Sequence, residues 1–549
     1  MPQQSTAKFI LRLLDSFKTN EDKIAVVDQN GQRQTTYKEL FTMACRVAGY
    51  LQKKNYPPHS FIGICLPTSM EYVAAEIGIW LAGHAIVPMG DKYPKDRIDY
   101  IMGHCESPLL IDEDVIQTMM KTEPAENYVL PKEEDINALF YTSGSTGTPK
   151  GVLHNFRSLN RPIPLERLLA EQDLHIMGAT MPFFFIASRT IFCFFFRGGY
   201  VYLVEPEIVK DIHQLENYLA QHHIEFTFLP PSVLANFQSK SPDLKLVMSA
   251  AERMSNIYFK DFKLINHYGQ TETCGAGASF IVDKPYEITP IGKPGEHVES
   301  CIMDEDGNVV PKGEKGEFCL KGNLTVGYYK DPISTAELYK FGWLHTGDIV
   351  RELPDGNLVY VERKDLMVKI NGQRVEPGEV EMVIKQVGGV KNAIVKGFTT
   401  NARQFLCAYY IANDGVSEDS IRAYLRSKLP AYMVPAYFVR MDSFPLLPSG
   451  KTDRKALLPP SDKTGSIARP PYTAPTNNVE RQLCEAFEKT LSVEHVGIDD
   501  DFFELGGDSI RVMEVQTLCP ELTLSSQMIY VNRTPKKIAE VCSNTEQVS

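Results

Sequence analysis

Apolar residues in the first third of the chain fall into two alternating patterns. Short continuous runs at 61–66, Ala85–Pro88, 109–111 and 138–141 read as buried strands. Between them, apolar positions recur every three or four residues, as on one face of a helix. Thr36 followed by Glu39 reads as a capping box, opening a helix toward Leu51. Helical spacing returns over 71–81 and 97–102. Such alternation predicts an α/β fold built on a doubly wound parallel sheet. The middle of the chain continues it, with a helix over 211–222 and strands over 226–229, 246–248 and 263–265. The most apolar segment, 183–196, is too short to cross a bilayer and holds Arg189, so it reads as a core helix beside a pocket.

The pattern then changes. A charged run, Glu362-Arg363-Lys364-Asp365, leads into strand-like alternation up to Val375, which on charge alone reads as a solvated hairpin. A helix opening near Gly378 and strands at 393–395 and 406–410 complete a small compact α+β lobe, about one hundred residues long. Pro, Ser, Thr and Lys crowd the next stretch, which reads as a linker. Beyond it Val479, Leu483, Phe487 and Leu491 recur every four residues and open a small all-α helical bundle. The expected division is a core over 1–364, the small lobe over 365–460, a linker over 461–474 and the helical unit over 475–545.

Composition narrows the picture. A chain of 549 residues is too long for one core. Its net charge of −12 argues against nucleic-acid binding and gives no support for an anionic membrane surface. The 11 cysteines are scattered without a CxxC pair, the usage expected of reduced thiols in a cytoplasmic protein. No basic region followed by an apolar stretch marks a signal peptide at the N-terminus.

The chemistry is concentrated in a few places. The run at 138–141 feeds a loop of Thr142, Ser143, Gly144, Ser145, Thr146 and Gly147 that closes on Lys150. Glycines let backbone N–H groups approach a phosphate, hydroxyls add donors, and the lysine adds charge. It is not a Walker A loop, because Lys150 is followed by Gly151 rather than Ser or Thr. Alone, Asn266-His267-Tyr268-Gly269-Gln270-Thr271-Glu272 would be a polar strand end, Asp348 a turn aspartate, Lys451 a solvated lysine and Ser509 a helix N-cap.

Taken together and in order, these stretches resemble the adenylate-forming enzymes, and specifically a nonribosomal peptide synthetase adenylation domain followed by a peptidyl carrier domain. The resemblance rests on the loop at 142–150, the Tyr268 to Thr273 stretch, Gly342 to Asp348, Leu447 to Lys455, and Asp499 to Ile510 with its Phe502-Phe503, Gly506-Gly507 and Asp508-Ser509. It implies that ATP lies against the loop with Asn266, His267, Tyr268 and Gly269, Tyr268 stacking on adenine. Thr271 would contact phosphate and Glu272 would hold Mg²⁺. Asp348 and Arg363 would bind ribose, Asp365 would be the hinge, and Lys451 would enter the site during adenylation. Ser509 would carry 4′-phosphopantetheine, added by a phosphopantetheinyl transferase.

By the same alignment the acid pocket consists of Phe185, Ile186, Ala187, Thr190, Phe228, Met248, Ala250, His267, Gly275 and Ala276. Amino-acid-activating members usually place an aspartate where Ile186 stands, to pair the substrate ammonium. The expected substrate is therefore a small carboxylic acid without a free α-amino group, with His267 or Arg189 as candidates to pair an anion or keto oxygen. The expected reaction is acyl-AMP formation and transfer to the carrier thiol. A condensation, reductase or other tailoring enzyme would then act in trans. Two rivals stand beside this reading: an acyl-CoA ligase with a fused carrier, favoured by the Gln270 and Trp343-Leu344-His345 wording, and a non-catalytic carrier scaffold.

Overall fold

The structure is a computed structural model that describes residues 6–144, 148–160, 164–296, 298–364, 366–370, 372–400, 403–445, 452–459, 470–491, 493–503, 505, 507, 509–522 and 524–545. The capping box opens the helix Tyr37–Lys54, with Thr36 Oγ1 accepting from the Glu39 amide and the Glu39 carboxylate accepting from the Thr36 amide at 2.8 Å. That helix packs on Met70–Leu81, where nearly every side chain is buried because the helix is sandwiched between layers.

The strands expected in the first half are present, but they form two sheets rather than one. Ile136–Thr142 runs parallel to Ala85–Pro88, then Phe61–Ile64 and Leu110–Ile111. Ile24–Asp28 belongs to the second sheet, parallel to Tyr200–Leu203 and followed by Ile176–Ala179, Phe226–Phe228, Leu246–Ser249 and Lys263–Gly269. Antiparallel strands finish one edge of the first sheet and both edges of the second, so the sheets are mixed. The loop at 143–149 is a hairpin connection, since Ile136–Thr142 returns as the antiparallel Lys150–Asn155.

Residues 183–196 do not form a single helix. A 3₁₀ turn, Ile186–Thr190, leads into the short helix Ile191–Phe195. The Ser188 hydroxyl bonds back to the carbonyls of Phe185 and Phe183, at 2.7 and 3.2 Å, a local alternative to the helical ladder.

A third sheet, antiparallel throughout, follows with Val298–Met303, Lys315–Gly322, Trp343–Glu352 and Leu358–Arg363. Asp348 lies in the middle of one of these strands and faces Arg363 across the ladder, so it is not a turn residue. The small lobe packs the helices Pro377–Lys385 and Glu418–Lys428 on the sheet Val390–Thr400, Arg403–Ala412 and Tyr437–Arg440. It is clamped to the core by a buried ion pair, Arg97 Nη1 to Glu379 Oε1 at 2.7 Å. Breaking such a pair on one side strands a charge in low dielectric, at a cost of about 3–5 kcal/mol.

The C-terminal unit is the expected bundle: Asn478–Leu491, Ser509–Leu518, Ser526–Asn532 and Pro535–Thr545 around Leu483, Phe487, Phe502, Val512, Ile529 and Ile538. No disulfide joins any two of the described cysteines. Among the described residues, no helix is long and apolar enough to cross a membrane.

Candidate active site

Three cavities lie in series, the first two between core and small lobe and the third reaching the helical bundle. The first, about 370 Å³, is lined by Asn266, His267, Tyr268, Gly269, Asp348, Arg363 and Lys369 among others. The buried Asp348 carboxylate is its electrostatic centre. Tyr268 donates its hydroxyl to Asp348 Oδ2 at 2.5 Å, Gln270 Nε2 donates to the same oxygen at 2.5 Å, and Arg363 Nη1 donates to Oδ1 at 3.0 Å. Burial and the adjacent carboxylate push the Tyr268 phenol well above its ordinary pKa, so its proton stays on the oxygen.

The second cavity, about 240 Å³, adjoins the first through His267 and Gly269. Every residue assigned to the acid pocket from the sequence lines it, together with Thr142, Ser143, Thr271 and Glu272. Ile186 and Ala187 reach it from the 3₁₀ turn, and Phe228 and Met248 from the carboxyl ends of two parallel strands. His267 is already committed: Nε2 bonds the Gly275 carbonyl and Nδ1 the Ser279 hydroxyl, both at 2.9 Å. Because a carbonyl only accepts, Nε2 carries the proton and Nδ1 accepts. Arg189 lines the same cavity, is buried, and pairs with Glu76. Burial holds its pKa down to about 10.

Glu272 lines the second cavity together with Thr142 and Ser143. Tyr328 donates to its Oε1 at 2.9 Å, and Arg374 Nη1 reaches the same oxygen at 2.5 Å. Burial alone would raise the Glu272 carboxyl, but Arg374 and the hydrogen bonds hold it below its ordinary value. Lys150 is held nearby, with Nζ 2.7 Å from Ser334 Oγ and 3.5 Å from Asp331 Oδ2. Gly144 cannot carry a side chain, because a Cβ there would lie 1.8 Å from the Thr148 carbonyl oxygen. Ser143 donates to the Arg374 carbonyl at 2.9 Å. Ser145, Thr146, Gly147, Asp365 and Lys451 lie outside the described residues, as does the Ser509 side chain; the Ser509 backbone begins the helix Ser509–Leu518.

Sequence reasoning missed Arg374 and Lys369. Both lie on the hairpin of Val368–Ile370 and Gln373–Val375, as partners directly opposite each other. The hairpin was expected to be solvated, but its charged face is turned into the site. Burial pushes the Lys369 ammonium below its usual pKa. Two cations facing each other across a ladder repel, so the pattern itself points to an anion opposite them.

The third and widest cavity, about 1090 Å³, runs from the bundle inward. Phe503 and Tyr530 line its carrier end, and it shares Tyr93, Phe184, Gln373 and Tyr432 with the acid cavity. Its walls thus come from the core, the lobe and the bundle together.

A buried carboxylate with its arginine, a glycine-flanked strand end and a cavity into which a small lobe inserts its own cations form the site of an adenylate-forming enzyme. The chain belongs to the AMP-binding enzyme family, whose model matches residues 14–329. The AMP-binding enzyme C-terminal domain matches 379–451, and the phosphopantetheine attachment site matches 481–542. Bacitracin synthase 1 of Bacillus licheniformis is 30% identical over 544 residues, covering 94% of this chain and 10% of the synthase. Tyrocidine synthase 1 of Brevibacillus parabrevis is 31% identical over 534 residues, covering 90% of this chain and 48% of the synthase. The chain therefore spans less than half the length of these relatives. In fold it is similar to holo-PA1221, a nonribosomal peptide synthetase protein containing adenylation and PCP domains, with a TM-score of 0.79, 20% identity and coverage of 98% of this chain and 96% of that one. It is also similar to NpsA-ThdA, an artificially fused adenylation–PCP didomain from Klebsiella oxytoca, with a TM-score of 0.71, 22% identity and coverage of 81% and 95%.

Proposed function

We propose that the chain is an adenylation–thiolation didomain. It joins a small carboxylic acid to AMP, using Mg·ATP, and loads the acyl group as a thioester on its own carrier. The observation that carries this reading is the continuous path from the carrier residues Phe503 and Tyr530, past Tyr93, Phe184, Gln373 and Tyr432, to the acid cavity.

In the first step a carboxylate oxygen of the acid bonds to the α-phosphorus of ATP, and the bond to pyrophosphate breaks. Asp348 and Arg363 fit a ribose, the one accepting and the other donating. Glu272 and Thr271 offer oxygen donors of the kind a hard cation takes, and a bound Mg²⁺ supplies charge neutralisation for the phosphates. In the pose seen here, Arg374 already neutralises Glu272, so guanidinium and metal are alternatives at that carboxylate. The lobe therefore turns about Asp365 between a pose that presents Lys451 and this pose, which presents Arg374 and Lys369. A pantetheine arm on Ser509 supplies the thiol that takes the acyl group from AMP. In this pose Arg374 and Lys369 stay near the charge left on the nucleotide, and Tyr93, Phe184 and Tyr432 wall the passage against water.

One prediction separates the two poses. Arg374→Ala should leave ATP–pyrophosphate exchange within about threefold while slowing thioester transfer about tenfold or more. Equal loss in both half-reactions would show that Arg374 serves no particular pose.

The acid itself is inferred from Ile186. Among the described residues Glu272 is the only carboxylate lining the acid cavity; Arg374 holds it in this pose, and the metal would hold it in the adenylating one. A substrate ammonium would find no free partner, and burying it unpaired costs several kcal/mol. The substrate class is an aryl, α-keto, α-hydroxy or short acyl acid. Exchange assayed over amino, keto, hydroxy and aryl acids should be strongest outside the common L-amino acids. Strongest exchange with an L-amino acid would overturn this assignment. A phosphopantetheinyl transferase primes Ser509, and a further catalytic unit removes the acyl group.

A further inference from the structure

The carrier is held against the core by a buried carboxylate that no catalytic role explains. Asp211 is 1% exposed and precedes the core helix Ile212–Gln221. Its Oδ1 caps that helix, accepting from the amides of His213 and Gln214 at 3.1 and 3.0 Å. Its Oδ2 faces the carrier, where it accepts from the Ser526 amide at 2.9 Å and from Gln516 Nε2 at 3.0 Å. Gln214 Nε2 also donates to Oδ2, at 3.1 Å. Ser526 Oγ donates to the Lys210 carbonyl at 3.2 Å, and Gln516 Nε2 also donates to the carrier's own Leu524 carbonyl at 2.8 Å. Beside this polar knot, Met513 of the carrier is 2% exposed and packs into the core cluster of Val204, Ile208 and Ile212.

One carboxylate therefore caps a helix in each body. Ser526 is the first residue of Ser526–Asn532, and its amide has no partner within that helix. Burial raises the Asp211 carboxyl, but the donors from both bodies hold it below its ordinary pKa. A carboxylate so enclosed discriminates. A carrier offering donors at 516 and 526 satisfies it, and one offering an acceptor or a side chain that blocks approach leaves a charge buried without bonds.

We infer that Asp211 is the recognition residue by which the core selects its own carrier and fixes it in the acyl-accepting pose, with Gln516, Ser526 and Met513 as the carrier's half of the interface. The inference rests on the adenylation–thiolation reading. It assigns Asp211 a positioning role that acts on transfer and not on activation.

Ser526→Pro gives a selective test. Proline suits the first position of a helix, and Ser525 before it is extended at φ −87° and ψ 151°, the conformation that proline requires of its neighbour. The helix survives while the amide donor to Asp211 is lost. Asp211→Asn keeps an oxygen for the core cap but turns N–H groups toward the carrier's donors. Each variant should prime normally and retain pyrophosphate exchange, while single-turnover loading slows about tenfold or more. Gln516→Glu alone should also slow loading, by setting two carboxylates face to face. Combined with Asp211→Asn it should regain part of the lost rate, because the asparagine amide then meets an acceptor. Loading within about twofold of the parent in both Ser526→Pro and Asp211→Asn would overturn the inference. Hydrogen exchange gives a readout that needs no acid: Asp211→Asn should release protection at Ser526 and around Met513. Unchanged protection there overturns the inference even if the parent accepts none of the acids tried, a failure that would instead count against the adenylation–thiolation reading.

Discussion

Ser509→Ala is expected to abolish acyl loading of the chain while leaving ATP–pyrophosphate exchange unchanged. The two half-reactions depend on separate groups. Acyl-AMP formation needs the cavities around Asp348, Glu272 and Ile186, all within the core and distant in sequence from the bundle. Transfer needs a thiol that can enter through the wide cavity, and the only hydroxyl in the Asp499 to Ile510 stretch that could carry the arm is Ser509. Its removal deletes the acceptor, so the loss is complete rather than graded. Folding of the alanine variant is checked by its unchanged exchange activity and by its circular dichroism. Retained loading in Ser509→Ala, located on another residue, would place the acceptor elsewhere.

The second large effect is expected at Lys451. Adenylation spreads negative charge over the phosphate oxygens, and an ammonium placed there is worth about 10²–10³ in rate. Lys451→Ala should lower exchange by about that factor and leave transfer from supplied acyl-AMP nearly intact. Arg374 and Lys369 already bring two cations of the lobe to Glu272 and Asp348, so this pose has its cationic side filled from the hairpin. The residue that completes adenylation must come from another part of the lobe, in another orientation. Paired with Arg374→Ala, which is expected to fail in transfer, the two variants should show opposite defects. If both lose exchange equally, the lobe does not alternate.

The framework was legible in the chain because burial and period coincide there. Ala85–Pro88 and the 138–141 run within Ile136–Thr142 are apolar without interruption, as strands covered on both faces tend to be. The residues proposed for the acid pocket came from the family resemblance, and the structure gathers them around one cavity. The antiparallel sheet after residue 297 was not legible, and Trp343–Glu352 shows why. Its inward positions are Leu344, Thr346, Asp348 and Val350, so two polar residues sit on the buried face and the period-two signal disappears. Asp348 is tolerated there because Tyr268 and Arg363 converge on it from other strands and Gln270 from just beyond the end of one. Arg374 was hidden for the same reason: its partner Glu272 is 102 positions away. A charged hairpin and a buried one differ only in what lies opposite. The Asp211 contact, spanning 315 positions to Ser526, is further still from anything local spacing can reveal.

The most direct test of the account is the mass of the intact primed protein after incubation with Mg·ATP and each acid of a panel, followed by peptide mapping. The account predicts an ATP-dependent increase equal to one acyl group, carried on the arm at Ser509 and greatest with an acid that has no α-amino group. A primed protein whose mass stays constant with every acid, or an acyl group mapped away from Ser509, would contradict it.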